Sequence, residues 1–193
     1  MTLVVAGAVI ATYLDTASRT TINPLNFFGF FTMQSNIVMA TVLLVAALLE
    51  LGRRPKPSWL VPVRAAATTY MVVVGVVYNV LLSGLPGGVD LEWANWVLHV
   101  AFPVYALLDW TLTTDRDRLS WTTLGLILVY PLVWCAVVLI RGATDGWVPY
   151  PFLDPVNGYT SVTLYVLAIA AAITAFGSLV IWISRLRVLN RTT

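Results

Sequence analysis

The sequence predicts an all-α integral membrane protein, a bundle of six transmembrane helices with both termini cytoplasmic. Three observations predict it. Hydrophobic residues make up 59% of the 193-residue chain and charged residues only 10%, against about 25% charged in soluble domains. The apolar residues fall into six runs separated by polar or Gly/Pro-broken turns. The positive charges gather in alternate turns.

The runs place helices at about 2–18, 25–49, 59–82, 93–113, 119–140 and 159–184, in a single domain covering 1–193. The first is short, roughly 27 Å of helix and barely a span. It lacks the basic leader of a cleaved signal peptide. Pro24 suits the first turn of the second helix. A charged turn broken by Pro55 and Pro57 separates the second helix from the third, which carries Tyr78 and Asn79 near its end. A Gly/Pro turn with Asp90 and Glu92 leads into the fourth, which holds Asn95, His99, Pro103 and Asp109. The hairpin Asp115-Arg116-Asp117-Arg118 precedes the fifth. The longest loop, Arg141 to Gly158, precedes the sixth, and a basic tail follows.

Arg53, Arg54, Lys56, Arg64, Arg116, Arg118, Arg185, Arg187 and Arg191 lie on one side of this arrangement, and only Arg19 and Arg141 on the other. Nine against two sets the nine inside. The preference for arginine over lysine and the richness in Ala and Val suit a bacterial plasma membrane.

Composition also excludes chemistry. The one cysteine, Cys135, allows no intrachain disulfide and no zinc–thiolate site. The one histidine, His99, excludes a multi-histidine metal site and a bis-histidine haem within the chain. The one lysine, Lys56, sits in a proline-flanked loop, which excludes a retinal-type Schiff base. A net charge of +2 gives no argument for nucleic acid. No metal or organic cofactor is expected. The expected surroundings are membrane lipids, and nothing in the pattern fixes an oligomeric state.

The chemistry-bearing stretch is Phe27-Phe28-Gly29-Phe30-Phe31-Thr32-Met33-Gln34-Ser35-Asn36. At about 100° per residue, Thr32, Ser35 and Asn36 share a face that Met39 continues. Polar groups in a membrane helix must look at protein or a cavity. Interhelical hydrogen bonding explains them without chemistry. In the six-helix frame Thr32 lies roughly 12 Å below Pro24, and His99 roughly 10 Å below Glu92, both counted from the outer side. A threonine needs a base to become a nucleophile, and histidine is the usual one. Thr32 and His99 at one depth, with Ser35, Asn36, Asn79 and Asn95 as candidate oxyanion donors or orienters of the imidazole, form a minimal kit for acyl transfer. The competing reading is a threonine bonded back to its own helix and a histidine bonded to a neighbour. Asp109 reads as a paired or interfacial acid. Trp147, Tyr150 and Phe152 in the outer loop read as a lid over the site or as part of an aromatic belt.

Three blocks carry a resemblance: Phe-Phe-Gly-Phe-Phe-Thr-Met-Gln-Ser-Asn, Trp-Ala-Asn-Trp-Val-Leu-His-Val-Ala-Phe-Pro and Gly-Trp-Val-Pro-Tyr-Pro-Phe-Leu-Asp-Pro. In order and spacing they resemble signature blocks of the family of androgen-induced protein and androgen-dependent TFPI-regulating protein, its prokaryotic members above all. The resemblance implies a six-helix membrane hydrolase with Thr32 as nucleophile and His99 as base. It also implies a lipid ester substrate, since the animal members hydrolyse fatty acid esters of hydroxy fatty acids. The expected function is therefore an intramembrane lipid ester hydrolase whose site opens toward the outer side. The alternative is a non-catalytic lipid-binding or regulatory membrane protein with the same pocket. A small-solute transporter comes third, because no internal repeat or pair of broken helices supports it.

Overall fold

The computed structural model describes residues 1–84, 90–113 and 116–186. The centre of the expected Gly/Pro turn at 85–89, Asp115 of the charged hairpin, and Arg187 and Arg191 of the basic tail lie outside the described residues. Among the described residues all regular structure is helical.

Helix α1 spans Thr2–Arg19 and α2 is the single turn Pro24–Phe27. Helices α3 (Phe31–Leu51) and α4 (Leu60–Val77) follow, and α4 runs on into a π turn at Tyr78–Leu82. Helix α5 (Glu92–Trp96) continues through a π turn at Val97–Ala101 into α6 (Phe102–Leu112). Helices α7 (Thr123–Thr144) and α8 (Tyr159–Ile183) flank a loop with two 3-10 turns, Pro151–Leu153 and Pro155–Asn157. Phe31–Leu51, Leu60–Leu82, Thr123–Thr144 and Tyr159–Ile183 are each long and apolar enough to cross a membrane.

The expected second helix differs most. The sequence predicts one rod from 25, with Thr32 two turns inside. The chain instead stops at Phe27, passes through an extended Phe30 (φ −63°, ψ 133°) and restarts at Phe31. Thr32 therefore sits in the first turn of α3. A break at this depth frees backbone groups that need partners. The Phe28 carbonyl accepts from Gln34 Nε2 at 2.8 Å, and the Gly29 carbonyl accepts from Trp134 Nε1 at 2.9 Å. The expected fifth helix is displaced by about one turn, to Thr123–Thr144. Its C-terminus is carried past Ile140 by Arg141, whose Nη2 pairs with Asp145 at 2.7 Å.

The helices pack in two layers that share α4. One apolar cluster joins α1, α3, α4, α5 and α6 through Met39, Met71, Leu98 and Phe102, all buried. The other joins α4, α7, α8 and the loop after α7 through Tyr70, Ile127, Tyr150 and Ile173. Trp110 ties α6 to the second layer by donating to the Val180 carbonyl at 3.0 Å. Arg19 pairs with Asp15 and Asp90, while Arg141 Nη2 donates to Asn26 Oδ1 at 2.8 Å. Elsewhere Arg64 pairs with Asp109 at 2.5 Å, and Arg185 Nη2 donates to the Leu119 carbonyl at 3.2 Å. Asp109 is thus the paired acid its place in the sequence suggests.

Candidate functional site

Thr32, Ser35, Asn36 and Met39 form one buried face of α3, with Ser35, Asn36 and Met39 at 0% exposure and Thr32 at 7%. Several helical threonines elsewhere in this protein satisfy their hydroxyl on their own helix, although buried Thr68 in α4 finds no protein partner among the described residues. Thr12, Thr41, Thr69, Thr163 and Thr174 all donate to the carbonyl four residues back, at 2.8 to 2.9 Å. Thr32 does not. Four residues before it is Phe28, across the break, and that carbonyl is taken by Gln34. The break therefore removes the bond that would make Thr32 inert.

The Thr32 hydroxyl meets Tyr150 instead. Its Oγ1 lies 3.4 Å from the phenol oxygen, and the Thr32 N–H donates to the same oxygen at 3.3 Å. The Phe31 N–H reaches it too. These amides belong to the first turn of α3, where backbone N–H groups have no intrahelical acceptor. The two hydroxyls face each other across this contact, and either can donate its hydrogen to the other.

Beside this pair opens an apolar pocket of about 740 Å³, its open mouth included. Val73, Val77, Leu128, Cys135, Val166 and Ile173 form much of its wall, with Thr32 and Tyr150 among the few residues offering a heteroatom. The pocket lies on the α4, α7 and α8 side of Thr32.

His99 lies on the other side, in the π turn between α5 and α6. It is 6% exposed and does not line the pocket. Its Nδ1 is 3.0 Å from the Asn95 carbonyl, so Nδ1 carries the hydrogen and Nε2 presents a lone pair. The ring stacks on Tyr78 with centroids 3.8 Å apart. Tyr78 belongs to the π turn that ends α4, so two helix irregularities meet here. Such turns recur at functional sites. Among the described residues no hydrogen bond joins Thr32 to His99. Asn36 links their neighbourhoods: its Nδ2 donates to the Thr32 carbonyl at 2.8 Å and to the Leu98 carbonyl at 3.3 Å.

The other candidates divide. The Asn95 amide donates to Tyr78 OH at 2.5 Å, which fixes the ring under the imidazole. Asn79 Nδ2 donates to the Gly75 carbonyl at 2.7 Å and to the His99 carbonyl at 3.5 Å. Pro103 lacks the N–H that would otherwise serve His99 O. Asn79 and Asn95 thus hold the histidine segment. Ser35 Oγ and Asn36 Oδ1 are buried without a protein partner.

Of the lid candidates, Tyr150 is buried against Phe30 and Trp134, with Phe152 stacked on it at 5.3 Å between centroids. Trp147 lies over Gly29 with the Arg141 guanidinium 4.3 Å from its ring. Arg141 and the Trp147 N–H hold the Asp145 carboxyl below the usual carboxylate range. The sequence signal for Tyr150 was its place in an aromatic loop; its bond to Thr32 had none. Among the described residues no group of three or more His, Cys, Asp and Glu is placed to hold a metal ion. No protein-family model, curated protein or solved structure matches the chain.

Proposed function

We propose that this chain is a membrane hydrolase that cleaves a lipid ester at Thr32, as a bundle of six spans with both termini in the cytoplasm. The observation that carries the reading is the state of Thr32. It is a buried hydroxyl that makes no bond to its own helix, and it borders an apolar pocket. In the proposed reaction Thr32 Oγ attacks the ester carbonyl carbon while His99 Nε2 takes the hydroxyl hydrogen. Collapse of the tetrahedral intermediate breaks the C–O bond, and the departing alkoxide takes the proton from His99. Water then releases the acyl group from Thr32 by the same steps, with His99 again the base. The hydroxyl has to exchange Tyr150 for the imidazole first. Asn36, bonded to both neighbourhoods, ties the two segments together.

What supports the six-span arrangement is the pairing of its connections. Arg19 joins the first connection to the third, and Arg141 joins the start of the second helix to the end of the fifth. With the charge asymmetry this sets Thr32 toward the outer leaflet.

A second reading is a lipid-binding protein without turnover. It is favoured by the resting bond of Thr32 Oγ1 to Tyr150 rather than to His99. Kinetics of Thr32→Ala, His99→Ala and the double variant, purified in lipid nanodiscs and assayed with a fatty acid ester of a hydroxy fatty acid, separate the two. A nucleophile and its base act as a unit, so each single change abolishes turnover and the double change adds little. Full specific activity in folded Thr32→Ala ends the hydrolase reading.

A further inference from the structure

The pocket beside Thr32 has a chemical polarity. We infer that it binds one unbranched acyl chain, with the carbonyl oxygen held by the Thr32 N–H and the Tyr150 hydroxyl and the chain lying between α4, α7 and α8. The inference rests on the hydrolase reading for which half of an ester enters there, the acyl half; occupancy itself needs no turnover.

Two features carry it. The first is the hydrocarbon character of the wall. From Leu128 to Cys135 on α7, and from Val166 to Ile173 on α8, the lining extends over eight residues of each helix, about 10 Å along the axis. Aliphatic side chains on three helices form a slot in which a flexible chain loses water or lipid contact without leaving a polar group unpaired. The second is the placement of the donors. Tyr150 is buried, and its hydroxyl stands against the opening turn of α3, where it receives the Thr32 N–H. A carbonyl oxygen entering there accepts from the Thr32 N–H and from the Tyr150 O–H, replacing the contacts these groups make with each other. A pure hydrocarbon gains nothing at that end, and a ligand with a bulky polar tail meets the aliphatic wall. An acyl chain matches both.

The chain carries its own probe, because Cys135, its one cysteine, lines this wall. The full-length protein in nanodiscs is alkylated with N-ethylmaleimide in the presence of palmitic acid. At ten times its half-protecting concentration the acid slows Cys135 alkylation by about tenfold, as simple mass action requires. Tyr150→Phe raises the half-protecting concentration by about fivefold, the loss of one neutral hydrogen bond. Ala170→Trp, which fills the slot from α8, removes protection. An alkylation rate indifferent to palmitic acid, or unchanged protection in Ala170→Trp, overturns the inference. If Cys135 resists alkylation outright, photo-crosslinking with a diazirine-bearing palmitic acid decides. Adducts on Leu128, Val166 or Ile173 support the pocket, and adducts confined to the exposed Leu164 and Leu167 overturn it. Failure here with Thr32→Ala inactive removes the chain's location and leaves the hydrolase. Success here with Thr32→Ala fully active leaves a lipid-binding site without the proposed nucleophile.

Discussion

At the scale of single residues, Gly29 is where one methyl group does most damage. A Cβ there would stand 2.6 Å from Trp147 Cη2 and 2.7 Å from the Leu25 carbonyl oxygen. The backbone cannot yield easily, because the Gly29 carbonyl is held by Trp134. Gly29→Ala is expected to cost about 1–3 kcal/mol, as overpacking does. It should lower Tm and change tryptophan fluorescence as Trp147 is displaced; an unchanged Tm would mean that the ring moves aside freely. Asp109 gives the opposite expectation for activity. Asp109→Asn keeps an acceptor but leaves the half-buried Arg64 without its counter-charge, costing about 1–3 kcal/mol. Specific activity of the folded fraction should stay close to that of the parent, because the acid serves Arg64 rather than the site; loss of turnover at full folding would contradict this. The polar face of α3 was legible because helical period alone places Thr32, Ser35 and Asn36 together. The partner of Thr32 was not. Tyr150 is 118 positions away, and no periodicity relates a loop residue to a helix it folds over. Equal height along their helices relates Thr32 to His99 without fixing either side chain's direction around its axis.

Helices here are shaped by two prolines whose missing N–H groups are answered from neighbouring helices. Pro131 in α7 leaves the Ile127 carbonyl free, and Tyr70 OH on α4 donates to it at 2.9 Å. Pro103 in α6 does the same for His99, answered by Asn79. A double-mutant cycle tests the first pair. Tyr70→Phe alone orphans a buried carbonyl and should cost about 1–3 kcal/mol. In the Pro131→Ala background the new N–H can serve Ile127, so the same change should cost clearly less. Equal costs in both backgrounds would show that Tyr70 matters through its ring alone. The helical runs themselves were legible from hydropathy. The break at Phe28–Phe30 was not, since Phe-Phe-Gly-Phe-Phe is apolar throughout. It depends on Gln34 and Trp134 receiving the freed carbonyls, and Trp134 comes from a helix about a hundred residues on.

The whole molecule makes a prediction about sidedness. In a Cys135→Ser background, cysteines replacing Lys56 or Asp117 should resist an impermeant thiol reagent in intact cells, and one replacing Asp145 should react. The reverse pattern would invert the bundle and move the Thr32 end of the pocket to the cytoplasmic leaflet. The expectation rests on charge asymmetry, since only two of eleven basic residues fall on the expected outer side. The division of the bundle into two layers was not legible. It separates the threonine's pocket from the histidine's segment, and it arises from packing among helices that hydropathy ranks alike.

The paired π turns constrain how this protein can change its length. Ser83 N–H reaches back five residues to the Tyr78 carbonyl at 2.8 Å, and Phe102 N–H reaches back five to Val97. Each turn thus accommodates one residue more than an α turn does. Removing one residue from either would let that helix close to α geometry with the segments on both sides keeping nearly their present faces, while the side chains inside the turn would point in new directions. Because Tyr78 and His99 are stacked across the gap, a deletion in one helix would lose its ring partner in the other. Insertions and deletions in these two segments are therefore tied together across the bundle, although they lie far apart along the chain.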